Sequence, residues 1–194
     1  MACDNFLWFP EAATGGLLKS GSDKPKGEST DKWFNPMNAL ELQSISFGVS
    51  QAETTGSGST GSAAGKAKFE EFTVEKFVDL ASVPLYVACC AGAHYPSVML
   101  AIRKAGGSNL IYVQYVFRRV FVTGINWSGG GGEEAPKETI KFKYGAMGIQ
   151  YVKQLPTGAG DKPITAFWSA VNNKPTLDVT GLGGAPPFIP VTQS

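Results

Sequence analysis

The chain has 194 residues, 43% of them hydrophobic and only 17% charged, with a net charge of +1. A chain of this length makes one domain, with or without an appendage, and buries roughly 70% of its unfolded surface without a disulfide staple. No basic stripe is present to track phosphates, which argues against nucleic acid, and no window approaches the roughly 18 apolar residues of a membrane span.

Strand signals dominate in chain order. "NFLWF" (residues 5–9) is a short apolar strand. "ALELQSISFGVS" (residues 39–50) alternates at Leu40 and Leu42, then at Ile45, Phe47 and Val49. Its phase slips by one near Ser44, which predicts a bulge or sharp coil, because a one-residue slip swaps the buried face. "TTGSGSTGSAAGK" (residues 54–66) is a polar Gly/Ser loop. "AKFEEFTVEKF" (residues 67–77) is extended again. One helix is predicted from Val83 to about Ala91, with Ser82 as N-cap, Pro84 in the first turn and Gly92 as the left-handed stop. Leu85, Ala88 and Cys89 share one helical face.

Three more extended runs follow. They cover residues 97–105, 110–127 and 138–154, and the middle one is apolar on both faces. Its second face needs a cover, and a neighbouring subunit is one source. "AGGSN" (residues 105–109) reads as a hairpin and "SGGGGEEAP" (residues 128–136) as a loop. After Gln154, "LPTGAGDKP" is linker-like, "ITAFWSAV" reads as one more strand, and the proline-rich end reads as an irregular strap. Phe167 and Trp168 are too apolar to stay solvated, so the tail is expected to pack on the outer side. The fold class is therefore mainly β, an all-β barrel or sandwich with one short helix. Residues 1–154 form this β domain and 155–194 a C-terminal extension.

The chemical candidates are few. Cys89, Cys90 and the single histidine, His94, cluster in sequence. A zinc site needs about four ligands, and a thiol nucleophile needs an adjacent, oriented base. Cys89 and Cys90 point about 100° apart on a helix, and His94 lies beyond its end, as a loop residue bonded to backbone. The stretch reads as a hinge, with three free thiols suited to a reducing compartment. "GSAAGKA" lacks the glycine and the hydroxyl of a phosphate loop, having Thr60 and Ala67 in their places. Adjacent Glu70–Glu71 and Glu133–Glu134 point to opposite faces rather than flanking a substrate. No catalytic residue, cofactor or metal site is expected, and the chain is expected not to be an enzyme. A different class, a carbohydrate-binding β-sandwich, would use Trp33, Trp127 and Trp168.

The run "FEEFTVEKFVDLASVPLYVACCAGAHYPSVMLAIRKAGG" resembles the haemolysin-coregulated protein (Hcp) family of type VI secretion. Lys76, Asp79, Ala81, Ser82, Leu85 and residues 103–107 fall in the family's pattern. "KGESTD", "SISFGVSQ" and "GGGGEEAPKETIKFKYGAMGIQY" resemble its early turn, second strand and last hairpin. Val83 stands between Ser82 and Pro84, where the family has Ser-Pro, and "WFNPM" is an insertion. The resemblance implies a small β-barrel of two packed antiparallel sheets with one short flanking helix, and a homohexameric ring, stacked into a tube inside a contractile sheath beneath a spike, with effector proteins in the lumen. It implies export with the tube; assembly is expected in the cytoplasm, and a cleaved secretory signal is not expected, since the first twenty residues lack a basic start and Pro10 and Glu11 interrupt their apolar run. Tubes of related phage-tail-like injection systems share the fold. Ring stacking is expected to use Gly56, Ser57, Gly58, Ser59, Thr60, Gly61 and Lys66.

Overall fold

A computed structural model describes residues 3–18, 24–53, 64–104, 110–131 and 135–191. In chain order the strands are β1 (Cys3–Trp8), β2 (Leu40–Leu42), β3 (Ser44–Ser46), β4 (Val49–Glu53), β5 (Ala64–Phe69) and β6 (Phe72–Phe77). The helix α1 (Ser82–Ala91) follows, then β7 (His94–Lys104), β8 (Ile111–Ser128), β9 (Lys137–Lys143), β10 (Ala146–Tyr151) and β11 (Ile164–Ser169). The predicted slip near Ser44 is a break at Gln43, whose N–H leaves the β2 line to donate to Glu75 O at 2.8 Å.

All pairings are antiparallel, and the main sheet runs β2-β1-β7-β8-β9-β6-β3. β4 and β5 form a separate two-stranded ribbon. The barrel expected from the sequence is therefore not closed. The strands at the two ends of that run, β2 and β3, are consecutive in the chain and are joined covalently through Gln43, with no hydrogen-bonded ladder between them. Strand β8 carries two partners in succession on one side: β10 along its first half and β9 along its second. Arg119, with φ +51°, and the register shift at Val122/Gly124 make the bend between those halves. Gly148 of β10 sits between Val116 and Phe167 in register, and an added Cβ would meet both side chains at 2.8 Å. The two large side chains thus approach across a position that has none.

Apolar residues on both faces of β1, β7 and β8 build two cores. The inner one joins Leu7, Phe9, Leu40, Phe72, Val98, Phe117 and Phe142, with Leu85 and Ala88 of α1 laid against it. The outer one joins Phe6, Trp8, Phe34, Met99, Ile111 and Val116. In the structure of the single chain, the second face of the doubly apolar strand is covered by the chain itself. Trp33, Phe34 and Met37 cover it from one side, with Asp31 Oδ1 accepting the N–H groups of Trp33 (3.0 Å) and Phe34 (3.3 Å) to hold their turn. Leu177, Phe188 and Ile189 of the C-terminal segment cover the rest. The strand expected at "ITAFWSAV" is β11, paired along β10.

Candidate assembly surface

The densest chemistry in the molecule is a buried network that ties α1 to the sheet. Lys76, at the end of β6, is 1% exposed and places Nζ 2.5 Å from Asp79 Oδ1 and 2.7 Å from Glu138 Oε1 of β9. It also donates to Phe77 O at 2.9 Å and to Ser82 Oγ at 3.3 Å. Ser82 Oγ donates to Glu138 Oε1 at 2.7 Å and accepts the Asp79 N–H at 3.0 Å. Asp79 Oδ1 accepts the Ala81 N–H at 2.9 Å, and the Trp127 indole donates to Glu138 Oε2 at 2.9 Å. Burial pushes the Asp79 carboxyl up despite the pull of Lys76. A lysine and a serine this close invite comparison with a nucleophile and its base. Here the ammonium is spent on two carboxylates and the hydroxyl is buried and bonded both ways, so the group is a clamp on the helix start.

This clamp corrects the N-cap expectation. The residue preceding the helix is Ala81, in helical conformation and without a side-chain cap, while Ser82 is the first helical residue. Its hydroxyl serves the turn before the helix rather than the helix's own amides. At the other end Gly92 takes φ +62°, and its N–H and that of Ala93 close on Cys89 O and Ala88 O.

What the clamp holds outward is apolar. Leu80 and Val83 are each 68% exposed, and Phe77, Val78, Tyr86 and Val87 lie open beside them. Val83, Tyr86 and Val87 stand at i, i+3 and i+4, one face of α1. Trp127, 52% exposed, extends the band, with its ring centroid 6.0 Å from that of Tyr86. An exposed apolar set of this kind is a candidate contact surface.

The other predicted residues fall elsewhere. Cys89 is half-buried against the inner core and Cys90 is exposed. Burial and the neighbouring Cys90 push the Cys89 thiol up, away from thiolate chemistry. His94 is the first residue of β7, not a loop residue, and its backbone exchanges hydrogen bonds with Thr14. Burial and the charge of Arg119 lower its pKa. No group of three or more metal-type side chains occurs among the described residues. Gly56, Ser57, Gly58, Ser59, Thr60 and Gly61 lie outside the described residues, as does the hairpin at 105–109, and Lys66 is exposed on β5. Phe167 is partly exposed on β11 and stacks on Phe188, with centroids 6.3 Å apart. Trp168 is half-buried. The three tryptophans of the carbohydrate reading sit on different elements: Trp33 packs on the outer core, Trp127 lies against Tyr86, and Trp168 is on β11.

One cleft, of about 450 Å³, opens beside β1 and β2 and is lined by Asp4, Asp31, Glu41 and Arg103. Arg103 fills its floor, bonded to Asp31 (2.7 Å) and Asp4 (3.0 Å), with its guanidinium 4.9 Å from the Phe6 ring centre. Burial opposes ionisation of Asp31, but Arg103 and two backbone N–H groups outweigh it and hold the carboxyl below its usual range. Arg103 thus bridges two of the three carboxylates that line the cleft. No helix among the described residues is long and apolar enough to cross a membrane.

Comparison with known proteins agrees with this architecture. Residues 17–151 match the family model described as type VI secretion system effector, Hcp. Protein hcp1 of Pseudomonas aeruginosa is 32% identical over 110 residues, covering 56% of this chain and 68% of that protein. A solved structure of a type six secretion system protein superposes with TM-score 0.76 at 30% identity, covering 90% of this chain and all of the other. Hcp1 from Salmonella typhimurium gives 0.68 at 28% identity, covering 91% and 100%. The chain belongs to the Hcp family of type VI secretion proteins, whose members are structural tube proteins and not enzymes.

Proposed function

We propose that this chain is the repeating subunit of a type VI inner tube: it closes into a hexameric ring, rings stack inside a contractile sheath, and the tube is exported with effector proteins as its cargo. The exposed band of Leu80, Val83, Tyr86, Val87 and Trp127 carries this reading. Repeated head-to-tail, a fixed apolar surface of this kind closes a ring when the rotation permits. Its clamp explains why the Lys76–Asp79–Ser82 spacing matters. A buried ion cluster that fixes one helix orientation suits a surface that must match another copy each time. The Gly/Ser loop that includes residues 56–61 is proposed as the stacking contact.

The test is light scattering on a size-exclusion column. The expected species has a mass near six copies of the 20.5 kDa chain. A stable monomer at micromolar concentration refutes the reading. Val83→Asp should break the ring while leaving the circular dichroism of the subunit intact, since Val83 is 68% exposed. An unchanged ring in that variant would remove the helix face from the interface.

A further inference from the structure

The C-terminal segment rests in a seat that reads it as an extended peptide. Gln114 of β8 donates from Nε2 to Ile189 O at 2.8 Å and accepts the Ile189 N–H on Oε1 at 3.0 Å. A side-chain amide thus takes the place of a neighbouring strand. Four residues along the same face of β8, Arg118 donates to Gly183 O, and Val191 O accepts the Ile111 N–H at 3.3 Å. The segment therefore runs antiparallel to β8 while touching it at separated points. Between those points Phe188 and Ile189 press on the outer core of Phe6, Trp8 and Phe34.

The stretch leading into the seat is built differently. Val179 is buried, but a Cβ added at Gly181, Gly183 or Gly184 would meet nothing within 4 Å, and Gly181 takes φ +83°. An anchored base, a loosely packed glycine stretch and a specifically read tip make an arm, a hinge and a socket. The fit at the hinge end is incomplete, since Arg118 Nε and Nη1 and the neighbouring Ser97 Oγ are buried without partners. Ser97 and Arg118 are direct register partners on β7 and β8.

We propose that residues 183–191 exchange between copies, the arm of one subunit occupying the Gln114–Arg118 seat of its neighbour. Every copy carries the same arm and the same seat, so an arm that leaves its own seat finds an identical one next door, and the balance is set by hinge strain and effective concentration. This rests on the ring reading, which holds copies side by side. The occupant is a second copy because the seat's chemistry, backbone recognition at one residue beside a large apolar pair, is matched by this chain's own Phe188-Ile189.

The experiment mixes two full-length preparations. One carries Phe188→benzoylphenylalanine at natural isotope abundance, and the other is wild type grown in heavy nitrogen. They are unfolded together, refolded, checked by light scattering, irradiated and digested. Crosslinked peptides joining position 188 to the seat are then weighed. Free exchange predicts that about half of them pair a light arm with a heavy seat. Assembled multimers containing only light–light crosslinks overturn the exchange and leave the ring standing. A monomeric sample overturns the ring and the exchange with it. Leu177→benzoylphenylalanine, on the anchored side of the hinge, should give light–light crosslinks only. Mixed pairs there as well would mean that the whole tail moves, and would refute the hinge at the glycines.

Discussion

Replacing Lys76 with methionine tests whether the buried clamp is what holds the helix surface. The change keeps most of the side-chain volume and removes the charge that bridges Asp79 and Glu138 at 2.5 and 2.7 Å. Breaking a buried pair by removing one partner costs about 3–5 kcal/mol, because the other charge stays behind without compensation. Asp79 softens this, since its carboxyl is already pushed up and takes a proton readily. Glu138 keeps Ser82 and the Trp127 indole as its remaining partners. The expected loss is therefore near the lower end, about 3 kcal/mol. With a urea slope of about 2 kcal/mol/M, the unfolding midpoint should fall by about 1.5 M. Adding Glu138→Leu to Lys76→Met should recover much of the loss, because an apolar replacement of the whole pair removes the stranded charge. If Lys76→Met alone stays within about 0.5 kcal/mol of wild type, the cluster is not holding the helix and the argument fails.

Other outcomes follow from single positions. His94 has a lowered folded pKa, so the unfolded chain takes the proton first; its stabilising contribution is present above about pH 6.5 and is lost as pH falls through the folded pKa. His94→Asn should therefore flatten the melting temperature between pH 7.5 and 5.5, and an unchanged acid slope would remove His94 as its source. Gly148→Ala should destabilise by about 1–3 kcal/mol in chemical denaturation, since Val116 and Phe167 must both shift, and a neutral result would mean that β11 packs more loosely than described. A chain ending at Pro175 should lose about 2–4 kcal/mol and bind a hydrophobic dye through the uncovered Phe6, Trp8 and Phe34, the ordering entropy of the strap offsetting part of its burial. Alkylating Cys90, which is exposed beside Tyr86 on the same helix face as Val83, should weaken assembly while leaving subunit melting unchanged, whereas an unchanged solution mass would remove that end of the helix from the interface.

The strands were legible because alternation survives without tertiary context. The slip near Ser44 was legible too, since a period of two has only one way to fail by one residue. Closure of the barrel was not. Whether β2 and β3 pair depends on how strongly the whole sheet curls, and the edge strands Leu40–Leu42 and Ser44–Ser46 look the same in sequence whether they meet as a ladder or only through Gln43. The source of the cover over β8 was left open for a related reason. Leu177, Phe188 and Ile189 lie in proline- and glycine-rich chain with no period, so their apolar character could not be assigned to a face. The polar residues of that face, Gln114 and Arg118, were the available signal. A glutamine and an arginine inside an otherwise apolar strand ask for a backbone partner, and the strap supplies it.

The helix carried a comparable signal that periodicity hides. "SVPLYVACCA" contains no charged residue, so no polar side identifies the face that meets water. A helix apolar all round belongs in an interior. Yet the sheet covers only one side of α1, through Ser82, Leu85 and Ala88, while Val83, Tyr86 and Val87 are left open. Assigning Leu85, Ala88 and Cys89 to a buried face was sound and incomplete, because it left the opposite face without a neighbour. The Lys76–Asp79–Ser82 spacing looked like a motif without a reason until Glu138 arrived from β9, 56 residues beyond Ser82. Sequence spacing gives three corners of that cluster and cannot give the fourth. With all four in place, the ion cluster and the uncharged helix explain each other: the charges are buried to fix the helix, and its outward apolar face is the surface proposed to meet another copy.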